Sequence, residues 1–174
     1  SSVVIHDGVL VTIHGKENID ASEEGRMIGI KLPKTLPGPG EPQMILKDKN
    51  PAIADGSDWE LWRHPLSMFT SSPAVADGRI YQVTKTGVLV CIDAKSGKLL
   101  FSEKLNKDQI HSSPLYADGK LYICFPNGIV KILRPKAEGL ELLHELELEG
   151  EIFGSPTVWN GKIYIHTVKK LYCF

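Results

Sequence analysis

The stretch SSPAVADGRIYQV, residues 71–83, decides the fold of this 174-residue chain, because its pattern occurs four times. The pattern is a short apolar run, an Asp-Gly or Asn-Gly pair and a second apolar run. The other copies begin SSVVIHDG at residues 1–8, SSPLYADG at 112–119 and GSPTVWNG at 154–161. Their closing glycines lie 70, 41 and 42 residues apart along the chain. Four copies in one register indicate an internal repeat.

Each copy predicts two antiparallel strands joined by a two-residue hairpin turn. Asp-Gly and Asn-Gly favour this turn because both of its central residues need a positive φ. Third strands are predicted at residues 88–92 and 129–133, and a fourth strand at 98–105. Residues 139–148 fit a helix or a strand when taken alone, but the register of the repeat predicts the outer strand of the third unit. Four strands recurring about every 40 residues are typical of a β-propeller blade.

We therefore predict an all-β fold, a β-propeller with about 3.75 four-stranded blades that form part of a seven- or eight-bladed ring. Blade 1 covers about residues 1–66, with insertions at 14–26 and 33–58. Blade 2 covers about 71–105, blade 3 about 112–148 and a partial blade 4 about 154–174. Such an arc needs a neighbour at each end, which we expect to be the remaining blades of the same natural chain or a second copy.

Composition limits the classes of function. The net charge is −1 and no basic block occurs, so no nucleic-acid partner is predicted. No apolar run is long enough for a transmembrane helix, and no signal peptide is visible in this sequence. The three cysteines are an odd number without a CxxC pair, which favours unpaired, buried apolar residues over a disulfide framework or a zinc site.

Residues 91–101, CIDAKSGKLLF, resemble the tryptophan-docking motif AxDxxTGKxxW of the pyrroloquinoline-quinone-type (PQQ-like) repeat family. The residues that carry this docking motif here are Cys91, Asp93, Gly97 and Phe101, with Trp62 as the aromatic residue of the first repeat. The resemblance implies that the aromatic residue packs between a small residue and a glycine of a neighbouring blade, and that the aspartate fixes a turn. It therefore implies that Phe101 is buried between blades, and it places Leu143 at the aromatic position of the third repeat.

The same resemblance frames the prediction of function. The PQQ-like family contains periplasmic quinoprotein dehydrogenases as well as propellers without a cofactor, so membership alone does not imply catalysis. We predict a non-catalytic binding or scaffold propeller, periplasmic or extracellular, whose partner is a protein or the remaining blades of the same propeller. One alternative is part of a quinoprotein oxidoreductase, similar to alcohol dehydrogenases, that uses PQQ and Ca²⁺. A second alternative is the ectodomain of a sensor.

One set of candidate binding residues lies where the chain enters each blade. Aligning the Ser-Pro pairs places Thr70, His111 and Phe153 at one equivalent position. In a propeller this position rings the mouth of the central channel. There His111 could bind a metal or a ligand carboxylate, or it could be a polar residue in a wet channel.

The insertion at residues 14–26 supplies a second, weaker candidate. Glu17, Asn18 and Asp20 could provide oxygen ligands for a hard cation such as Ca²⁺. The alternative is a solvated acidic loop, because the three residues show no regular ligand spacing.

Two further predictions follow from the alignment of the repeats. His166 occupies the position of Ile13, Val83 and Cys124, which favours an interior histidine. The serine pairs at 71–72 and 112–113 recur with the repeat, which marks them as structural hydrogen-bonding residues and not as nucleophiles.

Overall fold

The structure is a computed structural model that describes residues 2–15, 25–32, 60–68, 70–107 and 110–174. Within these ranges the chain forms fifteen strands, β1 to β15, in four antiparallel sheets. None of the described residues belongs to a helix that could cross a membrane.

Each sheet contains strands that follow one another along the chain. Blade 1 has β1 (Val4–His6), β2 (Val9–His14), β3 (Arg26–Lys31) and β4 (Glu60–His64). Blade 2 has β5 (Ala74–Ala76), β6 (Arg79–Val83), β7 (Val88–Asp93) and β8 (Leu99–Lys104). Blade 3 has β9 (Leu115–Ala117), β10 (Lys120–Cys124), β11 (Ile129–Lys136) and β12 (Gly139–Glu147). Blade 4 has β13 (Thr157–Trp159), β14 (Lys162–His166) and β15 (Leu171–Cys173).

The four predicted hairpin turns are confirmed. Asp7, Asp77, Asp118 and Asn160 have φ between 46° and 52°, and the glycine after each has φ between 67° and 75°. Aspartate and asparagine tolerate this left-handed region better than most residues, and glycine adopts it without steric cost. The turns set the register in which β2, β6, β10 and β14 pair with the strands before them.

The blades pack in chain order through their apolar faces. A core cluster extends from Val11 in blade 1 through Tyr81 in blade 2 to Leu121 in blade 3. A second, smaller cluster joins Cys124 in blade 3 to Ile165 in blade 4. The inner strands β1, β5 and β9 also contact one another in sequence. The prediction of an all-β partial propeller is therefore confirmed.

The outer strand of blade 3 is also confirmed, because residues 139–147 form β12. The aromatic position within it was predicted wrongly, however. His144 pairs with Ile132 and Leu142 pairs with Leu133, which leaves Leu143 without a partner across the sheet. Blades 1 and 2 have the same bulge, but the residues that pair across the outer hairpin are further apart in blade 3 (Leu133 and Leu142) than in blade 2 (Ile92 and Leu99). His144, not Leu143, is therefore the residue that corresponds to Trp62 and Phe101.

The prediction of an interior His166 is wrong as well. Ile13, Val83 and Cys124 are fully buried at the corresponding positions, whereas His166 is exposed. Each of the first three faces the next blade along the chain, and no described residue covers His166 in this way. Burial at this position thus depends on the next blade and not on the strand itself.

Candidate functional site

The junction of blades 1 and 2 is built around Trp62 in β4. Its indole lies between Gly29 of its own blade and Gly97 of blade 2, and only 8% of the side chain is exposed. The indole Nε1 donates a hydrogen bond of 3.0 Å to the carbonyl of Ala94 in blade 2. A methyl group on either glycine would overlap the indole, so both positions require glycine. Trp62 thus packs blade 1 against the turn between β7 and β8.

Asp93 shapes the turn that receives Trp62. Its Oδ1 accepts hydrogen bonds from the amide of Ser96 at 2.7 Å and from the hydroxyl of Ser96 at 2.6 Å. These bonds, the hydroxyl first, lower the pKa of the Asp93 carboxyl. The carbonyl of Asp93 also accepts from the amide of Gly97 at 2.9 Å, and Gly97 has a φ of 71°. The turn is therefore held in shape by the motif residues themselves.

Phe101 occupies the corresponding place at the junction of blades 2 and 3. It lies opposite Cys91 on the neighbouring strand and packs against the main core cluster, but it is only half-buried. A hydrogen bond adds to this packing between blades 2 and 3: the Glu103 carboxylate accepts from the amide of Leu140 at 3.2 Å. Burial raises the pKa of the Cys91 thiol to about 11, which keeps the thiol protonated at neutral pH.

A ladder of serine hydrogen bonds connects the inner edges of all four blades, and we call it the serine ladder. The amide of Ser2 donates to Ser72 Oγ at 2.6 Å, the amide of Ser72 to Ser113 Oγ at 2.9 Å, and the amide of Ser113 to Ser155 Oγ at 2.8 Å. Each blade therefore supplies the hydroxyl that satisfies the amide of the blade before it. This confirms the structural role that was predicted for the repeated serines.

The candidate residues at the channel mouth are brought together only in part. The rings of His111 and Phe153 meet edge to face with centroids 5.6 Å apart. Phe153 and Thr70 are exposed, and His111 is half-buried. His111 and Phe153 are therefore neighbours, and the position of all three residues at a channel mouth stays a prediction. Glu17, Asn18 and Asp20 lie outside the described residues.

The described residues do not match the needs of a PQQ and Ca²⁺ site. They contain no group of three His, Cys, Asp or Glu side chains that could hold a metal ion. The channel-mouth positions offer one imidazole and one hydroxyl, whereas Ca²⁺ requires six or more oxygen ligands. We therefore derive no reaction step through these groups.

The face of blade 4 that points away from blade 3 is open, and we call it the open face. It is formed by Thr157, Trp159, Tyr164, His166, Leu171 and Cys173. Trp159 is 67% exposed, and Leu171 and Cys173 are exposed as well. Burial and a hydrogen bond with Cys173 raise the pKa of the Tyr164 hydroxyl, in that order. In blade 2 the residues at the positions of Tyr164 and Cys173, namely Tyr81 and Cys91, are fully enclosed.

The sequence analysis expected a neighbour at this end of the arc but did not name the residues that form the face. It also missed a cleft of about 540 Å³ at the junction of blades 1 and 2. Lys31, Leu61 and Lys95 lie along this cleft, beside the Asp7-Gly8 turn. The exposed Leu61 stands at the bulge of β4, where the other two four-stranded repeats also have a leucine, so the sequence gives no signal for the cleft.

The fold and the docked Trp62 define a β-propeller arc whose blades are joined by a tryptophan-docking motif. A family model described as outer membrane protein assembly factor BamB matches residues 51–134. This match and the similar structures described next support a PQQ-like repeat family. No curated protein matches it.

Solved structures share the fold at low sequence identity. BamB from Moraxella catarrhalis is 17% identical with a TM-score of 0.65, and the match covers 99% of this chain and 45% of that one. The computationally designed Ika4 protein is 10% identical with a TM-score of 0.68, and the match covers 99% of this chain and 88% of that one. A quinohemoprotein alcohol dehydrogenase from Pseudomonas putida HK5, ADHIIG, is 15% identical with a TM-score of 0.59, over 94% of this chain and 27% of that one. This chain thus spans less than half the length of the natural proteins that it resembles.

Proposed function

We propose that this chain is a non-catalytic binding or scaffold module that uses the open face of blade 4 to bind another protein surface. One observation carries the proposal. Positions that are buried under the next blade in blades 1 to 3 are exposed in blade 4, as the comparison of Cys124 with His166 illustrates. The open face therefore carries residues at positions that form a junction between blades elsewhere in the chain, but no described blade covers it.

The composition of blade 4 supports this proposal. Six of the eleven large apolar side chains that are exposed among the described residues belong to blade 4 or its entry segment: Phe153, Val158, Trp159, Val168, Leu171 and Phe174. Of these six, Trp159 and Leu171 lie on the open face. Concentrated apolar exposure on a soluble domain marks a surface that binds another protein. Tryptophan is also the residue type that most often dominates the energy of such interfaces.

The partner is a protein or further blades of the same propeller. The matched family model is described as an outer membrane protein assembly factor. This description supports a module that works in the periplasm or outside the cell and acts through protein contacts.

The quinoprotein oxidoreductase and the sensor ectodomain remain the alternative functions. The similarity to a quinohemoprotein alcohol dehydrogenase supports the fold that an oxidoreductase would use. Titrating the purified chain with PQQ and Ca²⁺ separates enzyme from scaffold. A scaffold is expected to give a visible spectrum equal to the sum of its components, whereas a saturable spectral change would favour the oxidoreductase.

Photo-crosslinking tests the binding proposal directly. The photoreactive residue p-benzoylphenylalanine replaces Trp159 in the protein as its natural host produces it, and the crosslinked peptide is identified by mass spectrometry. Leu142 provides a matched control position, because it is 53% exposed but lies on the outer strand of blade 3. We expect a discrete crosslink from position 159 and none from position 142. Equal, diffuse labelling from both positions would refute an interface at the open face.

A further inference from the structure

Two polar side chains bridge blades 2 and 3 beside the hairpin turn between β5 and β6. The guanidinium of Arg79 in blade 2 donates a hydrogen bond of 2.7 Å to the carbonyl of Lys136 in blade 3. The phenol of Tyr116 in blade 3 donates a hydrogen bond of 2.7 Å to the carboxylate of Asp77 in blade 2. The hairpin of blade 2 is therefore tied to the blade that follows it.

The junction of blades 1 and 2 has short apolar side chains at the corresponding positions. Val9 follows the hairpin glycine of blade 1 as Arg79 follows that of blade 2. Val75 takes the place on the inner strand of blade 2 that Tyr116 takes on that of blade 3. A valine side chain cannot donate a hydrogen bond, and it is shorter than either of these two residues. The cleft of about 540 Å³, which Val9 lines, thus lies where the next junction carries longer, polar side chains.

The acceptor for a phenol is present in this cleft and is not used. Asp7 and Asp77 lie in equivalent turns, with φ of 46° and 52°. Asp77 accepts a hydrogen bond from Tyr116, whereas Asp7 accepts none from the described residues. The nearest charged or titratable partner in the described part of the chain is His6, whose Nε2 lies 3.6 Å from the Asp7 carboxylate. A hydroxyl placed in the cleft would therefore gain a charge-assisted hydrogen bond.

The walls of the cleft suit an aromatic ring. Val9, Leu61 and Ala94 supply apolar surface, and Leu61 is 40% exposed. Clefts of this volume are typical of sites that enclose a small ligand on mainly apolar walls with a few polar groups. The space thus admits a ring together with part of the peptide that carries it.

The charges around the cleft favour a neutral hydrogen-bond donor. Lys31 and Lys95 line the cleft together with Asp7. Asp93 lines it as well, but its Oδ1 already accepts two hydrogen bonds from Ser96. A guanidinium would be repelled by the two ammonium groups, whereas a neutral phenol is not. A phenol therefore matches this cleft better than a guanidinium does.

We propose that the cleft between blades 1 and 2 binds a tyrosine side chain of a partner protein, whose hydroxyl donates to the Asp7 carboxylate. The contact repeats between two proteins the bond that Tyr116 makes to Asp77 within this chain. The ring packs against Val9 and Leu61. This site lies at an internal junction of the arc and is separate from the open face, so it goes beyond the proposed function.

Amide chemical shifts of the ¹⁵N-labelled 174-residue chain test whether the cleft is occupied. The probe is N-acetyl-tyrosinamide, and N-acetyl-phenylalaninamide is the matched probe without the hydroxyl. We expect the tyrosine probe to shift the amides of Gly8, Ala94 and Lys95 saturably, with a dissociation constant in the millimolar range. We expect the phenylalanine probe to bind about three- to tenfold more weakly, because it leaves Asp7 without a donor. No shift at these amides, or equal binding of the two probes, would overturn the inference.

Three variants locate the contact. Asp7→Asn keeps a residue type that this turn accepts, as Asn160 shows, and is expected to weaken binding of the tyrosine probe by about three- to tenfold. Asp118→Asn changes the equivalent turn of blade 3 and is expected to leave binding unchanged. Val75→Tyr supplies from within the chain the phenol that Tyr116 supplies at the next junction, and is expected to weaken binding more than tenfold.

Circular dichroism verifies that each variant retains its strands. Equal binding by Asp7→Asn and Asp118→Asn would show that the Asp7 carboxylate does not accept from the probe. Unchanged binding by a folded Val75→Tyr variant would show that the probe lies outside the cleft. Either result would overturn the inference.

Discussion

Blades 2 and 4 present the same pair of side chains and enclose them to opposite extents. Tyr81 and Cys91 in blade 2 are fully buried between blades 1 and 3, whereas Tyr164 is half-buried and Cys173 is exposed in blade 4. The first hairpin has the same register and closely similar turn geometry in both blades, whereas the described sheet of blade 4 has no fourth strand. The comparison teaches that the apolar faces of a propeller blade depend on the strands and blades beside it.

The strongest test of this comparison uses the two described tryptophans. Trp62→Ala removes the indole that clamps blade 1 onto blade 2, and we expect it to lower the free energy of unfolding by about 3–5 kcal/mol. Trp159→Ala removes an exposed ring from blade 4 and is expected to change it by less than about 0.5 kcal/mol. Urea unfolding of each variant gives both values. Similar losses in the two variants would show that blade 4 is packed as closely as blade 2.

A smaller effect is expected from two glycines that both have a positive φ. Gly97→Ala in blade 2 combines left-handed strain with overlap of the Trp62 indole, and we expect a loss of about 2–4 kcal/mol. Gly161→Ala in blade 4 meets no atom within 4 Å, so only the strain of about 1–2 kcal/mol remains. The difference between the two losses measures the docking of Trp62. If Gly97→Ala costs no more than Gly161→Ala, the indole does not fill the space beside Gly97.

The smallest expected effect concerns the reactivity of the three cysteine thiols, which compares single side chains in blades 2, 3 and 4. Burial raises the pKa of Cys91 from 9.0 to about 11 and that of Cys124 to about 12, whereas Cys173 is exposed. At pH 8 we expect iodoacetamide to label Cys173 at the rate of an unfolded chain and to leave the other two unlabelled until the chain unfolds. Peptide mapping after timed labelling checks this order. Rapid labelling of Cys91 would mean that the junction of blades 2 and 3 opens readily.

The same shifts fix the sign of the pH dependence. A thiol whose pKa is raised by folding stabilises the folded chain fully below its unfolded pKa of 9.0. That contribution is lost as the pH rises through about 11 for Cys91 and about 12 for Cys124. Tyr81 acts in the same direction, since burial raises its pKa from 10.0 to about 12. The urea midpoint should therefore fall between about pH 9 and pH 12.

Most of the fold could be predicted because it is encoded locally. The Asp-Gly and Asn-Gly pairs fix the hairpins through φ alone, and the repeat register identified β12 as a strand although its apolar spacing was ambiguous. Leu143 was misplaced because the hairpin between β11 and β12 is longer than that between β7 and β8, so that Gly139 does not take the position of Gly97. Trp62 was named through the family resemblance, and in the structure it lies between Gly29 and Gly97, which must both lack a side chain.

The candidate site was harder to predict because it depends on what surrounds each blade. His166 was expected inside on the strength of Ile13, Val83 and Cys124, but each of those residues is covered by a blade that His166 lacks. The repeated serines were correctly assigned a structural role. Their direction, from each amide to the following blade, could not be read from spacing, because spacing does not distinguish donor from acceptor.

The direction of the serine ladder bears on how such a chain can grow by gene duplication. Each blade within the series supplies a serine hydroxyl that accepts a hydrogen bond from the preceding blade, and a serine amide that donates one to the following blade. A tandem copy of one blade, inserted anywhere in the series, would therefore meet both needs at once and leave no backbone group stranded. The number of blades can therefore change by whole blades while the serine hydrogen bonds at the inner edge are retained. Selection can then act on the outer strands and loops.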